Sequence, residues 1–203
     1  MSLYKLPLGI RIPNNDEYPD TYNIEDINLK RENANIIEGY TIKEVVGEKY
    51  TYYLEVNVNV NKIWNIFIAI TNKIISSVAY GILGLKNEDL KLSNFTSREN
   101  LIQIFEDYSF ELVNDGFLQF GIANYNDISL NEIFITNFKY IKIWTDNIAI
   151  LKILDLFEIP VIENLNFIDE FPVVSEALTL QKVSKVRHYT EVIEKIEQKF
   201  ACF

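Results

Sequence analysis

The chain has 203 residues, of which 48% are hydrophobic, 24% charged and 13% aromatic. That is enough to bury one sizeable core and too apolar for general disorder. Nineteen Lys and Arg stand against 29 Asp and Glu, a net charge of -10 with a pI near 4.7. Such a field repels phosphate backbones and anionic lipid, so neither nucleic acid nor membrane is an expected partner.

In chain order, residues 1–36 hold three of the five prolines and a polar run from Asn14 to Asp20. They read as an irregular arm tacked down by Ile10, Ile12, Tyr18 and Tyr22, with 37–203 as the body. Residues 50–60 alternate apolar and polar at period two, the mark of a strand with one buried face. Asn61 then caps a helix over 62–73 whose Ile63, Trp64, Ile66, Phe67, Ile68 and Ile70 leave little polar surface. Residues 75–83 return as a strand, in which Ala79 and Gly81 admit a closely packed neighbour. Thr96 with Glu99 reads as a capping box, opening a helix with a Leu101, Ile104, Phe105, Tyr108 stripe.

Residues 107–145 read as the organising sheet, an antiparallel meander. Strands 109–113 and 117–123 flank Asn114-Asp115-Gly116, a hairpin signal. Strands at 130–136 and 138–144 follow: in the first Leu130, Glu132, Phe134 and Thr136 oppose Ile133 and Ile135, and in the second Phe138, Tyr140, Lys142 and Trp144 oppose Lys139, Ile141 and Ile143. Asp146 or Asn147 caps a further helix that Pro160 ends. Residues 164–171 read as a strand and 177–184 as strand or helix. A terminal helix covers 191–200, with Val192, Ile193, Ile196 and Phe200 inward. The fold class expected is α+β, a single domain with a largely antiparallel sheet, three buried helices and a C-terminal helix. Strand, Asn, buried helix and return strand recur in that order at 50–84 and 138–171, which reads either as an internal duplication or as two independent units.

Few residues can carry chemistry. His188 and Cys202 are the only soft metal ligands, so a zinc site is excluded and no cofactor is implied. Gly81-Ile82-Leu83-Gly84 lacks the spacing and Lys-Ser/Thr ending of a phosphate loop. His188, among Lys185, Arg187 and Tyr189, reads as a solvated surface histidine. The single cysteine excludes an internal disulfide framework, and no basic-then-apolar export layout opens the sequence, so a reducing cytoplasm is expected. Carboxylates remain: Glu132 and Asp169 are the candidates for a hydrolase or small-ligand enzyme. The stronger regional feature lies between Ile153 and Gln181, with six acids and no Lys or Arg. Asp155, Glu158, Glu163, Asp169, Glu170 and Glu176 read as an acidic patch that docks a basic protein, with ordinary solvated loops as the plain alternative.

Residues Asp115-Gly116-Phe117, Phe120-Gly121, Glu132-Ile133-Phe134, Lys139, Trp144 and Phe167-Ile168-Asp169 give the stretch 107–172 a resemblance to bacterial immunity proteins that neutralise secreted toxins. The resemblance implies a cytoplasmic, acidic, non-enzymatic domain whose partner is a toxin domain, with no catalytic residues to carry over.

Overall fold

Sequential strands form an eight-stranded antiparallel sheet whose larger apolar face is the one the helices cover. The computed structural model describes residues 4–180 and 183–202. Its main strands are β2 (Gly39–Glu44), β3 (Tyr52–Asn57), β4 (Val78–Leu85), β7 (Leu118–Tyr125), β8 (Leu130–Ile135) and β9 (Ile141–Thr145), with short β5 (Lys91–Leu92) and β6 (Thr96–Ser97). A separate pair joins β1 (Ile10–Arg11) to β10 (Val174–Ser175). The order across the sheet is β2-β3-β9-β8-β7-β4-β5, with β6 also on β4. Six helices are described: α1 (Ile24–Asn33), α2 (Val60–Ile74), α3 (Arg98–Glu106), α4 (Ser109–Asn114), α5 (Ile150–Leu156) and α6 (Tyr189–Phe200). The result is a single α+β domain with a largely antiparallel sheet and a C-terminal helix, as the sequence predicts.

Every neighbouring pair is antiparallel, so β3 and β4 run parallel with β9, β8 and β7 between them. Helix α2 makes that crossover over the covered face. It buries Ile63, Ile66, Phe67, Ile70 and Ile74 and turns Asn61, Asn65, Asn72 and Lys73 outward. Its Phe67 ring meets Phe120 at 4.9 Å and Phe105 at 6.4 Å, and Phe105 meets Phe200 at 5.9 Å. These edge-to-face contacts centre the core. Gly81 is a close-approach glycine: a Cβ there would stand 2.6 Å from Phe200 Cζ, so a side chain would displace the Phe200 ring. Phe67, Leu101, Phe105, Ile141, Ile143 and Leu154 are buried in this core, and Trp64 and Leu151 are partly buried against it.

The β7-β8-β9 meander forms as expected, but its first expected strand does not. Residues 109–114 are helix α4, and Asp115-Gly116 links that helix to β7. Gly116 serves proximity rather than turn geometry. A Cβ on it would lie 2.4 Å from the Gly9 carbonyl, where three chain segments cross through Gly9 N to Asn114 O (2.8 Å), Gly116 N to Glu176 O (2.9 Å) and Glu176 N to Gly9 O (2.8 Å). The buried Asp115 accepts from Phe117 N and Leu178 N, both at 2.8 Å. The glycine that takes positive φ is Gly47 (+87°), in the β2–β3 hairpin.

Other boundaries also move. The arm contains α1, which Asn23 caps by accepting from Asp26 N, with acids in its first turn and bases in its last. Ile10 and Tyr18 are buried, whereas Tyr22 is exposed. Asn59, not Asn61, precedes α2, and its side chain accepts from Lys5 N instead of capping. Ser97, not Thr96, caps α3. Helix α5 ends at Leu156, before Pro160. Residues 164–171 hold a 3-10 turn at Ile168–Glu170 rather than a strand, so the second strand–helix–strand unit lacks its return strand. Gln181 and Lys182, within the ambiguous 177–184 stretch, lie outside the described residues.

Candidate functional site

Only one face of the sheet carries helices. On the other, register aligns two rows of side chains. Tyr80, Ala123, Glu132, Trp144, Tyr53 and Lys43 form one row across β4, β7, β8, β9, β3 and β2. Ile82, Gly121, Phe134, Lys142, Glu55 and Thr41 form the next. The end of this face towards Tyr140 is covered by the segment before β10, where Leu165 and Phe167 pack on Tyr140. Beyond it Ile82, Ala123 and Phe134 are buried in a small cluster with Tyr80 and Trp144, and two depressions remain.

The first depression, about 330 Å³, is lined by Glu132, Phe134, Tyr140, Lys142, Trp144 and Asp169 among others. Glu132 sits between Ala123 and Trp144 and has no hydrogen bond or ion pair among the described residues. Burial alone pushes its carboxyl up to about 7. Lys142 lies diagonally across but is turned to Glu55 at 3.9 Å. Asp169 accepts from the Tyr140 hydroxyl at 3.4 Å. Its carboxyl is raised mainly by burial, with hydrogen bonds from its own backbone and Tyr140 and the charge of Lys142 opposing. Trp144 stacks at a tilt on Tyr53, centroids 5.3 Å apart.

The second depression, about 540 Å³, runs along edge strand β2 and is lined by Thr41, Lys43, Glu55, Phe167, Glu163 and Glu170 among others. Tyr40 turns its peptide groups outward, donating to Pro160 O and accepting from Ile162 N, both at 2.9 Å. Strand alternation therefore turns the Ile42 and Glu44 peptide groups outward too, past the end of that cover.

The six acids of the expected patch do not share one face. Glu163 and Glu170 meet at the β2 edge, joined by Glu55, which sequence reasoning missed because register alone brings it there. Glu170 is also a local cap, accepting from Phe167 N and Asn166 Nδ2 at 2.7 Å each. Asp155 is exposed on α5, near enough to Tyr40 for its charge to add to the burial that raises that hydroxyl. Glu158 is exposed just beyond, in the left-handed region (φ 58°). Asp169 belongs to the Glu132 depression. Glu176 lies by β10 and holds the Arg11 guanidinium at 2.6 Å. The aromatic side chains Tyr53, Tyr80, Phe134 and Trp144 were visible as period-two residues but not as members of one surface. Among the described residues no group of three or more His, Cys, Asp or Glu could hold a metal ion, and no helix is long and apolar enough to cross a membrane.

No family model, curated protein or solved structure matches this chain.

Proposed function

We propose that this chain is an acidic protein-binding domain that docks a basic partner along the β2 edge. A toxin domain, the partner implied by the resemblance to immunity proteins, is a partner of that kind. The observation that carries the reading is the convergence of Glu55, Glu163 and Glu170 beside outward-facing strand peptide groups, with Lys43 the one base lining that depression and Lys142 3.9 Å from Glu55. Carboxylates on such a rim speed encounter with a cationic surface, and an open strand edge offers main-chain hydrogen bonds to an extended segment. The test uses an extended peptide of alternating Arg and Val, titrated into isotope-labelled protein and followed by amide shifts. Shifts confined to β2, Glu55 and residues 160–170, fading as salt rises, support the reading. Shifts centred on Glu194 and Glu197 of α6, or spread over the whole surface, overturn it.

A second reading, carboxylate chemistry at Glu132 and Asp169, draws on one observation: both line the same depression. Its test is hydrolysis of ester and glycoside substrates that is lost in both Glu132→Gln and Asp169→Asn.

A further inference from the structure

The Glu132 depression is a separate feature from the acidic edge and has its own chemistry. A carboxylate on an inner strand is costly to desolvate and is normally matched by a cation or by hydrogen-bond donors. Here neither is present among the described residues. The neighbouring lysine is turned to Glu55 at 3.9 Å, and Glu132 opens into the depression of about 330 Å³. The walls of that space are aromatic. Trp144 stands directly opposite Glu132 on β9, and Phe134 and Tyr140 line the same depression.

We propose that this depression is a binding site for one guanidinium group, the side chain of an arginine presented by a basic protein partner. A planar cation can lie against the indole of Trp144 and donate two hydrogen bonds to the Glu132 carboxylate. Asp169, at the other end of the depression, adds a second negative charge. A compact ammonium would satisfy the charge but not the flat aromatic wall, which makes arginine a better fit than lysine. The pH dependence follows from the groups around Glu132. Lys142 on β9, Glu55 and Tyr53 on β3, Tyr80 on β4 and Asp169 all face it. Burial sets the Glu132 carboxyl at about 7. Binding the cation favours the ionised form, so affinity rises as pH goes from 6 to 8 and a proton leaves as the ligand enters.

The proposal rests on the protein-binding reading only for the source of the arginine. The site itself is tested with N-acetyl-arginine amide, so failure at the β2 edge and failure here are separable. The ligand is titrated into labelled protein while the Trp144 indole N–H is followed, with N-acetyl-citrulline amide as the neutral control. Expected are a saturable shift for arginine, binding about tenfold weaker for citrulline, and a similar loss with Glu132→Gln at pH 8 that disappears at pH 5. Trp144→Leu, which keeps an apolar side chain, should also weaken arginine binding. No saturable shift, equal binding of citrulline, or unchanged affinity in Glu132→Gln each overturns the proposal. Equal affinity for a free alkylamine and for arginine overturns it in favour of a small-amine site.

Discussion

Two adjacent rows of side chains cross the same six strands, one residue apart, and they have opposite characters. Gly81, Ile122, Ile133, Ile143, Leu54 and Ile42 form the row under the helices. The four from Ile122 to Leu54 are fully inaccessible to solvent. One step along each strand stand Tyr80, Ala123, Glu132, Trp144, Tyr53 and Lys43, aromatic and charged side chains without a helix over them. Pleating alone separates the two sets. The lesson is that the same register that builds the core also assembles the working surface, so a slip of one residue would destroy both at once.

The largest effect should come from breaking the covered row. Ile133→Ala or Phe67→Ala leaves a cavity in a core with no access to solvent and should cost about 3–5 kcal/mol by urea denaturation. Trp144→Ala is the matched change on the open row. It should cost only about 1 kcal/mol, chiefly its ring contact with Tyr53. Equal losses at the two sites would mean that the open row is a second core.

The next effect sharpens the comparison through pH. Glu132 releases its proton at about 7 in the folded chain against an ordinary value of 4.5. Below the ordinary value both states are protonated and the side chain is neutral to stability. Between the two values the unfolded chain has lost the proton that the folded chain keeps, so stability falls as pH rises, and the penalty is complete above the folded value. Glu132→Gln lacks that penalty. It should match wild type near pH 4 and exceed it by roughly 2–3 kcal/mol at pH 8, as read by chemical denaturation.

Lys139 makes a useful contrast. Its side chain is buried against the Leu118 carbonyl, and burial brings its ammonium down to about 7 from 10.5, with Asp115 opposing the shift. Its penalty is present below about 7 and is relieved as pH rises towards its ordinary value, a different window with the opposite slope. Both proteins contain Lys139, so the difference between wild type and Glu132→Gln isolates the glutamate.

Much of the covered row was legible in the sequence, and much of the open one was not. Period two in 50–60 and 130–144 identified β3, β8 and β9 and which face each buries, because the signal is local. The Asp-Gly pair misled for a physical reason. Glycine is used both for positive φ and for close backbone approach, and Gly116 serves the second, against Gly9 more than a hundred positions away. Helix α1 was missed because no apolar stripe marks it, although its Asn23 cap and its acids-first, bases-last order were readable. The strand expected at 164–171 is a capped turn, held by Glu170. The acidic patch was read from proximity in sequence. The fold instead gathers Glu163 and Glu170 with Glu55, from a different strand, and gives Glu176 to Arg11.

The smallest effect on stability should come from the β2 edge. Glu163 is exposed, so Glu163→Lys should change folding free energy by no more than about 0.5 kcal/mol. The same change should weaken a basic partner far more than Glu194→Lys does on α6, measured by calorimetry at low and at physiological salt. Equal effects at the two positions would move the docking surface away from β2.

The most direct test of the account is a carbon-detected NMR titration of the Glu132 side-chain carboxyl in the free protein. A working surface built around an unpaired, half-buried carboxylate predicts a midpoint near 7, moving downward when N-acetyl-arginine amide is present. A midpoint at the ordinary glutamate value, unmoved by the ligand, would mean that Glu132 is solvated and that the open row is plain surface.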